Sequence, residues 1–306
     1  YFGNNSKVKE SKRVRGYLSS VDNELSFGLG NVSKIDSLVI EWGSGKKEVL
    51  YEIDANQTIT VNEKDSGLIE NKKEETKQIF SKINDFIEYT HNENDFDDFR
   101  NEILLPYKQS TLGPFISTGD VNNDGKNDVF IGGAHKQNSK IYISNENGLI
   151  EQNIKSFQDD SGREDMESVF IDIDNDNDLD LYVVSGGNEF VNRSLELSDR
   201  IYLNDGKGNF KRDYQQDIEN YTISGKTVIS IDYDNDGDDD VIVGNRIQTG
   251  KYPIHEPSII YENISGKFYN NTYNVAPEFE NFGIVNKIIS TDFNNDGWND
   301  FIAVGE

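Results

Sequence analysis

The chain has 306 residues, and its 30 Lys and Arg against 56 Asp and Glu give a formal net charge of −26. So anionic a chain repels phosphate backbones, which excludes nucleic acid as a partner. The sequence contains no run of about 18 apolar residues that would form a membrane-spanning helix. It also contains no Cys, which excludes disulfide scaffolds, thiol catalysis and Cys-ligated metals.

Residues 15–63 alternate apolar and polar side chains in short runs that are interrupted by glycines. The runs are Ser37–Trp42, Glu48–Ile53 and Thr58–Val61. Alternation with a period of two is typical of β-strands. We therefore expect residues 1–66 to form a small β-rich domain.

Residues 67–110 are expected to be a helical linker between this domain and the rest of the chain. The prediction rests on apolar residues spaced mainly three and four apart, which is typical of an amphipathic helix: Ile79, Phe80, Ile83, Phe86 and Ile87. The stretch from His91 to Asp98 has residue types that can bind metals. A structural role is favoured for it, because a lone His among acids usually only forms hydrogen bonds.

Residues 111–306 contain four nine-residue windows that hold 17 carboxylates. They read DVNNDGKND (120–128), DIDNDNDLD (172–180), DYDNDGDDD (232–240) and DFNNDGWND (292–300). The first, third, fifth and ninth residues are always Asp or Asn: Asp120, Asn122, Asp124, Asp128; Asp172, Asp174, Asp176, Asp180; Asp232, Asp234, Asp236, Asp240; Asp292, Asn294, Asp296, Asp300.

The sixth and seventh residues of each window complete the pattern of a chelating loop. The sixth is Gly125, Asn177, Gly237 or Gly297, and Gly and Asn are the residue types that adopt positive φ most easily. The seventh can offer its backbone carbonyl: Lys126, Asp178, Asp238 or Trp298. Alternate oxygen ligands around a sharp turn suit Ca²⁺. The sequence therefore predicts about four Ca²⁺ sites, with tighter binding at 172–180 and 232–240, which carry four ligating carboxylates instead of three.

The flanks of the windows determine the fold class. An EF-hand would need a Glu at position 12, where this chain has Ile131, Val183, Val243 and Ala303. Short β-branched runs flank each window instead, which predicts strand–loop–strand hairpins. The first aspartates recur at intervals of 52, 60 and 60, and a second hairpin follows at 141–149, 201–210 and 259–268. Four strands in each period predict an all-β fold of β-propeller blades, with the last blade incomplete.

Residues 112–306 resemble the VCBS or FG-GAP repeats of integrin-α-type propellers. The segment RGYLSSVDNELSFGLGNVSKIDSLVIEWGSGKKEVLYEIDANQTITVNE (15–63) resembles the ASPIC/UnbV domain. This resemblance implies Ca²⁺-stabilised propellers in a bacterial protein that is extracellular or attached to the cell surface or outer envelope. It implies no established reaction, and we expect the chain to be a fragment of a larger protein.

The connection that follows each Ca²⁺ hairpin is longer in the second and third periods, at 186–199 and 244–257. Insertions at equivalent places in repeats project from one face, which is often the binding face. The aromatic and cationic residues there suit sugars or carboxylates, although plain elongated loops explain the same lengths: Phe190, Arg193, Arg246, Tyr252 and His255.

These observations favour a non-catalytic module that recognises an extracellular protein or a glycan, as in adhesion. No catalytic motif occurs in the sequence. Two alternatives stay open: part of an enzyme that acts on a polysaccharide or another extracellular substrate, and an architectural surface protein.

Overall fold

The computed structural model of the chain describes residues 1–3, 5–16, 19–22, 24–68, 80, 87–146 and 148–306. The chain divides into two units, Tyr1–Lys82 and Ile83–Glu306. Both are built from antiparallel strands with only short helices among the described residues, so the expected all-β class is confirmed.

The first unit contains a two-stranded ribbon and a three-stranded sheet. The ribbon pairs β1 (Val14–Gly16) with β2 (Ser19–Ser20). The sheet pairs β3 (Lys34–Glu41) with β4 (Lys46–Asp54), and β5 (Gly67–Leu68) joins the start of β4 after a 3₁₀ turn at Glu63–Asp65. The expected β-rich character is thus confirmed.

The run Thr58–Val61 was expected to be a strand, and this is wrong. These residues lie in no regular element, and β5 takes the place beside β4 instead. Thr58, Ile59 and Thr60 are all exposed. The apolar residues of this run therefore pack against no other apolar surface. Without such packing, an alternating pattern does not stabilise a strand.

The predicted linker helix stays a prediction. Ile79, Ile83 and Phe86 lie outside the described residues, and the described Phe80 and Ile87 belong to no regular element. Residues 88–110 are irregular chain with one 3₁₀ turn at Asp98–Arg100.

The described part of the second unit contains three four-stranded sheets and one two-stranded sheet, each with strands in chain order. The first is β6 (Ile116–Gly119), β7 (Asp128–Ile131), β8 (Lys140–Asn145) and β9 (Gly148–Gln152). The second is β10 (Asp165–Ile171), β11 (Asp180–Ser185), β12 (Arg200–Leu203) and β13 (Lys211–Asp213). The third is β14 (Gly225–Ile231), β15 (Asp240–Asn245), β16 (Ile259–Asn263) and β17 (Phe268–Asn270). The fourth is β18 (Val285–Thr291) and β19 (Asp300–Gly305).

Short helices follow the outer strands and lead to the next sheet. They are α1 (Lys155–Asp159), α2 (Gln216–Glu219) and α3 (Thr272–Val275), with 3₁₀ turns at Leu195–Leu197 and Pro277–Asn281. These meandering sheets are the predicted propeller blades, and the fourth sheet has two strands.

Neighbouring sheets bury one another's faces. Tyr182 of the second sheet meets Phe268 of the third edge to face, with ring centroids 6.1 Å apart. Phe157 of α1 lies between Phe130 of the first sheet and Tyr202 of the second, at 5.5 and 4.9 Å. Each buried aromatic ring removes about 150–250 Å² from water, and an apolar cluster fills each interface between successive sheets.

The order of strands gives each sheet two distinct ends. Each acidic window connects the first and second strands, and each insertion connects the second and third. Because consecutive strands are antiparallel, the windows lie at one end of the sheets and the insertions at the other. We call these the acidic-loop end and the insertion end.

Candidate metal centres

Each acidic window is a tight loop whose ninth residue begins the second strand of its sheet: Asp128, Asp180, Asp240 and Asp300. The fourth and sixth residues are left-handed in all four loops, with φ between 58° and 99°. Asn occupies the fourth place every time: Asn123, Asn175, Asn235 and Asn295. At the sixth place, Asn177 has φ 70° and follows the same path as the glycines.

The first aspartate of each loop holds the turn by accepting backbone hydrogen bonds. In the second loop Asp172 accepts from the N–H of Asp176 at 3.2 Å and of Asn177 at 3.0 Å. Gly237 donates to Asp232 in the third loop, also at 3.2 Å. Short backbone-to-side-chain hydrogen bonds of this kind order a loop. They bring its oxygens together without an ion.

The ninth aspartate ties the loop to the rest of its sheet. In the third loop Asp240 accepts from the N–H of Tyr233 at 3.2 Å and from the N–H of Asn263, at the end of the third strand, at 2.8 Å. Asp180 accepts in the same way from Ile173 and Asn204. Burial raises the pKa of both Asp180 and Asp240 to about 7, against the lowering effect of these hydrogen bonds.

Carboxylate oxygens converge most closely in the second and third loops. Asp172, Asp174 and Asp176 each offer an oxygen within 4.8 Å of the others, and so do Asp232, Asp234 and Asp240. These distances fit oxygens that share one ion of the size of Ca²⁺, since metal–oxygen bonds are about 2.3–2.6 Å long. The two groups can therefore hold a metal ion.

The third loop also contains a buried oxygen without a donor, Oδ1 of Asp232. A buried carboxylate oxygen that has no hydrogen-bond donor is costly unless a cation lies against it. The donor set and this unpaired oxygen together fit a hard divalent ion.

The predicted ligands of the first and fourth loops have the same backbone arrangement. Asp120 accepts from the N–H of Gly125 at 2.7 Å, and Asp292 accepts from the N–H of Gly297 at 3.0 Å. Asn122 and Asn294 each accept from the N–H of the fifth residue, at 3.1 and 3.0 Å.

The seventh residues, which were expected to offer carbonyls, donate their own N–H to the fifth aspartate at 2.9 to 3.0 Å: Lys126, Asp178, Asp238 and Trp298. Asp178 is unusual because its side chain is buried and its Oδ1 has no donor. Burial, together with the charges of Asp176, Asp174 and Asp172, raises the pKa of Asp178 to about 6. The second loop, like the third, therefore contains a carboxylate oxygen without a donor.

Two asparagines that sequence reasoning missed connect successive loops. Asn204 Nδ2 donates to the carbonyl of Val121 in the first loop and to that of Leu179 in the second, at 2.7 and 3.1 Å. Asn263 links the second and third loops through Ile173 and Asp239. The signal was present, because Asn145 and Asn263 end the third strands of their sheets and Asn204 directly follows β12.

The five residues predicted to bind a ligand lie at the insertion end, largely engaged with neighbours. Phe190 stacks edge to face on His135, with ring centroids 5.0 Å apart. Arg193 pairs with Glu256 at 2.7 Å, which joins the two insertions. His255 forms a β-bridge with Ile247.

The other two predicted ligand residues, Arg246 and Tyr252, contact the segment 88–110, which we call the strap. Arg246 is buried and donates to the Tyr107 hydroxyl at 2.9 Å, and the N–H of Tyr252 donates to Glu102 at 2.7 Å. The strap also contacts the first sheet, where the Tyr89 hydroxyl donates to the Gly132 carbonyl at 2.9 Å. It therefore crosses the insertion end of three successive sheets.

No helix in the described part of the chain is both long and apolar enough to span a membrane. Four-stranded meanders that stack face to face, each with an acidic loop between its first two strands, define the class of β-propeller repeats. Comparison with family models gave two matches. Residues 1–68 match the ASPIC and UnbV family, and residues 120–183 and 172–243 each match the FG-GAP-like repeat. Residues 120–243 are therefore FG-GAP-like repeats, and residues 1–68 are an ASPIC and UnbV segment. A comparison with curated proteins found no match.

Proposed function

We propose that the chain is a Ca²⁺-dependent, non-catalytic FG-GAP β-propeller module that recognises an extracellular protein or a glycan at a bacterial surface. The observation that carries the proposal is the third loop, where oxygens of Asp232, Asp234 and Asp240 converge within 4.8 Å and Oδ1 of Asp232 has no donor. The resemblance to integrin-α-type repeats supports the extracellular setting.

Electrostatics favours an ion over an empty loop. Two unit charges 4 Å apart repel by about 4 kcal/mol at an effective dielectric constant of 20. Each loop has at least three carboxylates, within a chain of net charge −26. A bound Ca²⁺ supplies the compensating charge. In the third loop the residues expected to hold it are Asp232, Asp234, Asp236 and Asp240, with the carbonyl of Asp238.

An ordered loop would stabilise the sheets through hydrogen bonds that already connect the loop to the strands. Asp240 joins the loop to the third strand, and Asn263 joins that strand to the preceding loop. Loss of the ion would leave the repulsion of these aspartates uncompensated at the point where three strands meet. Ca²⁺ would therefore stabilise the stack of sheets.

The insertion end is the surface that we propose for recognition. Large apolar side chains are exposed there on the strap and on the first insertion: Ile103 at 82%, Leu104 at 75% and Val191 at 79%. Exposed apolar groups that lie together are typical of protein-binding surfaces. Of the five predicted ligand residues, Arg193 keeps about half of its side chain exposed.

The experiment has two arms. Isothermal titration of the chelator-treated chain with Ca²⁺ should show binding at the acidic loops, and no binding would refute the calcium claim. Binding to arrays of glycans and extracellular proteins should then be lost in Ile103→Asp with Leu104→Asp and kept in Ile264→Asp. Ile264 is 50% exposed in the turn between β16 and β17, at the acidic-loop end. Turnover of a polysaccharide by the chain would contradict the non-catalytic assignment.

A further inference from the structure

A second group of carboxylates lies at the insertion end, away from the acidic loops. Glu93 is on the strap, Glu164 directly precedes β10, and Glu189 is in the first insertion. Asn94 joins two of these segments, because its Nδ2 donates to Glu189 Oε1 at 3.1 Å. The Glu189 side chain packs against the backbone of Gly187. A side chain at position 187 would clash with it, since a Cβ there would lie 2.5 Å from Oε2 of Glu189.

Three acceptor oxygens in this cluster are buried and have no hydrogen-bond donor: Glu93 Oε2, Asn94 Oδ1 and Glu164 Oε1. Glu164 is the most enclosed of these residues, with 1% of its surface exposed. Its other oxygen accepts from the N–H of His135 at 2.6 Å. Unpaired buried acceptors are costly, and more so when charged, so three in this cluster indicate a missing positive partner.

The side chains of the protein supply little of that positive charge. His91 Nε2 lies 2.8 Å from Glu93 Oε1. Burial, with the charge of Glu189 second, raises the pKa of Glu164 to about 9, and burial raises the pKa of Glu189 to about 7. Burial thus disfavours the charged forms of these carboxyls unless a cation lies against them.

We propose that Glu93, Asn94, Glu164 and Glu189 bind one further Ca²⁺, which fastens the strap to the second sheet. Carboxylate and amide oxygens are ligands that Ca²⁺ prefers. Among the described residues, three carboxylates close enough to share one ion occur only in the acidic loops. Binding therefore draws the Glu93 and Glu164 carboxylates together, and water completes the shell. Glu93 keeps 23% of its side chain exposed, which gives the ion a way in.

The proposal is independent of the acidic loops, and the test separates the two. The number of Ca²⁺ ions bound per chain is measured by equilibrium dialysis for the wild type, Glu164→Gln, Glu93→Gln and a loop variant, Asp234→Asn. Asp95→Asn is the matched control, because Asp95 is exposed on the same strap. Hydrogen exchange of residues 92–95 is followed with and without Ca²⁺.

We expect Glu164→Gln and Glu93→Gln each to bind one ion fewer than the wild type and to lose the Ca²⁺-dependent protection of residues 92–95. Asp95→Asn should bind as many ions as the wild type, and Asp234→Asn should keep the strap protection. Should Glu164→Gln not fold, Glu93→Gln decides by the same criterion. Unchanged ion counts in the folded variants would overturn the proposal and would show that a proton, held by Glu164, neutralises the cluster. Loss of ions only from the loop variant would overturn it as well, while leaving the loop sites intact.

Discussion

The side-chain amide of Asn204 lies 2.7 Å from the carbonyl oxygen of Val121, although 83 residues separate them in the chain. Val121 is the second residue of the first acidic loop, and Asn204 directly follows the third strand of the next sheet. The N–H of Asn204 donates to Asp180, the last ligand position of the second loop, at 2.7 Å. One asparagine therefore joins two candidate metal sites.

Replacing Asn204 by Ala should destabilise the second unit by about 1–3 kcal/mol, because two partly buried carbonyls lose their donor. It should also weaken Ca²⁺ binding at the first and second loops together, since both depend on this contact. Urea unfolding and calorimetric titration measure the two effects. Asn281→Ala, at an exposed asparagine, should change neither, and an Asn204→Ala variant with wild-type binding would contradict the coupling.

The left-handed turn at Asn177 gives a second prediction. Its φ of 70° is tolerated by Gly and Asn but strained for a β-branched residue. Asn177→Val should therefore lower the free energy of unfolding by about 1–2 kcal/mol, whereas Asn177→Gly should leave it nearly unchanged. Thermal melting in Ca²⁺ compares the pair, and equal melting temperatures for both variants would show that the turn is not constrained.

Asp234→Asn should change the sign of its effect when Ca²⁺ is removed. With chelator present, the substitution relieves repulsion with Asp232 and Asp240 and should stabilise the protein by on the order of 1 kcal/mol. In saturating Ca²⁺ the substitution removes a charged ligand and should destabilise the protein. Each tenfold loss of Ca²⁺ affinity lowers the free energy of unfolding by about 1.4 kcal/mol.

Melting curves of the wild type and Asp234→Asn in both buffers test this reversal. Asp159→Asn removes a surface carboxylate that pairs with Lys155 and should behave alike in the two buffers. The same sign of effect for Asp234→Asn in both conditions would mean that this aspartate binds no ion.

The buried Asp199 should make stability depend on pH. Burial raises its pKa from 3.8 to about 7, although Ser185 and Tyr182 donate to it at 2.8 and 2.9 Å. The folded carboxyl thus binds its proton more tightly than the unfolded one. The contribution of Asp199 to the free energy of unfolding is complete below about pH 4. It is lost as the pH rises through 7, at up to about 1.4 kcal/mol per pH unit.

Urea unfolding between pH 4 and 8, in saturating Ca²⁺ to keep the acidic loops charged, should show a shallower pH dependence for Asp199→Asn than for the wild type. Parallel curves would mean that Asp199 stays ionised in the folded protein.

Much of the second unit could be predicted from the sequence because the repeats carry the same information several times. Aspartates on alternate residues, a turn at the sixth place and β-branched flanks predicted the loop hairpins in their observed positions. The period of about 60 residues predicted four-stranded sheets. The match to FG-GAP-like repeats confirms this interpretation.

Contacts between distant residues could not be predicted in the same way. The amide of Asn204 reaches the preceding loop only when two sheets stack, and nothing local to residue 204 specifies that. The strap is a second case: Asn94 meets Glu189 across 95 residues. Sequence reasoning favoured a hydrogen-bonded role for this stretch, because it could not show which acids would surround it.

The central claim, that ions in the acidic loops stabilise the stacked sheets, is tested most directly by the melting temperature with millimolar Ca²⁺ and with excess chelator. We predict a fall of many degrees on chelation, reversed by added Ca²⁺. Identical melting curves in the two buffers would contradict the account.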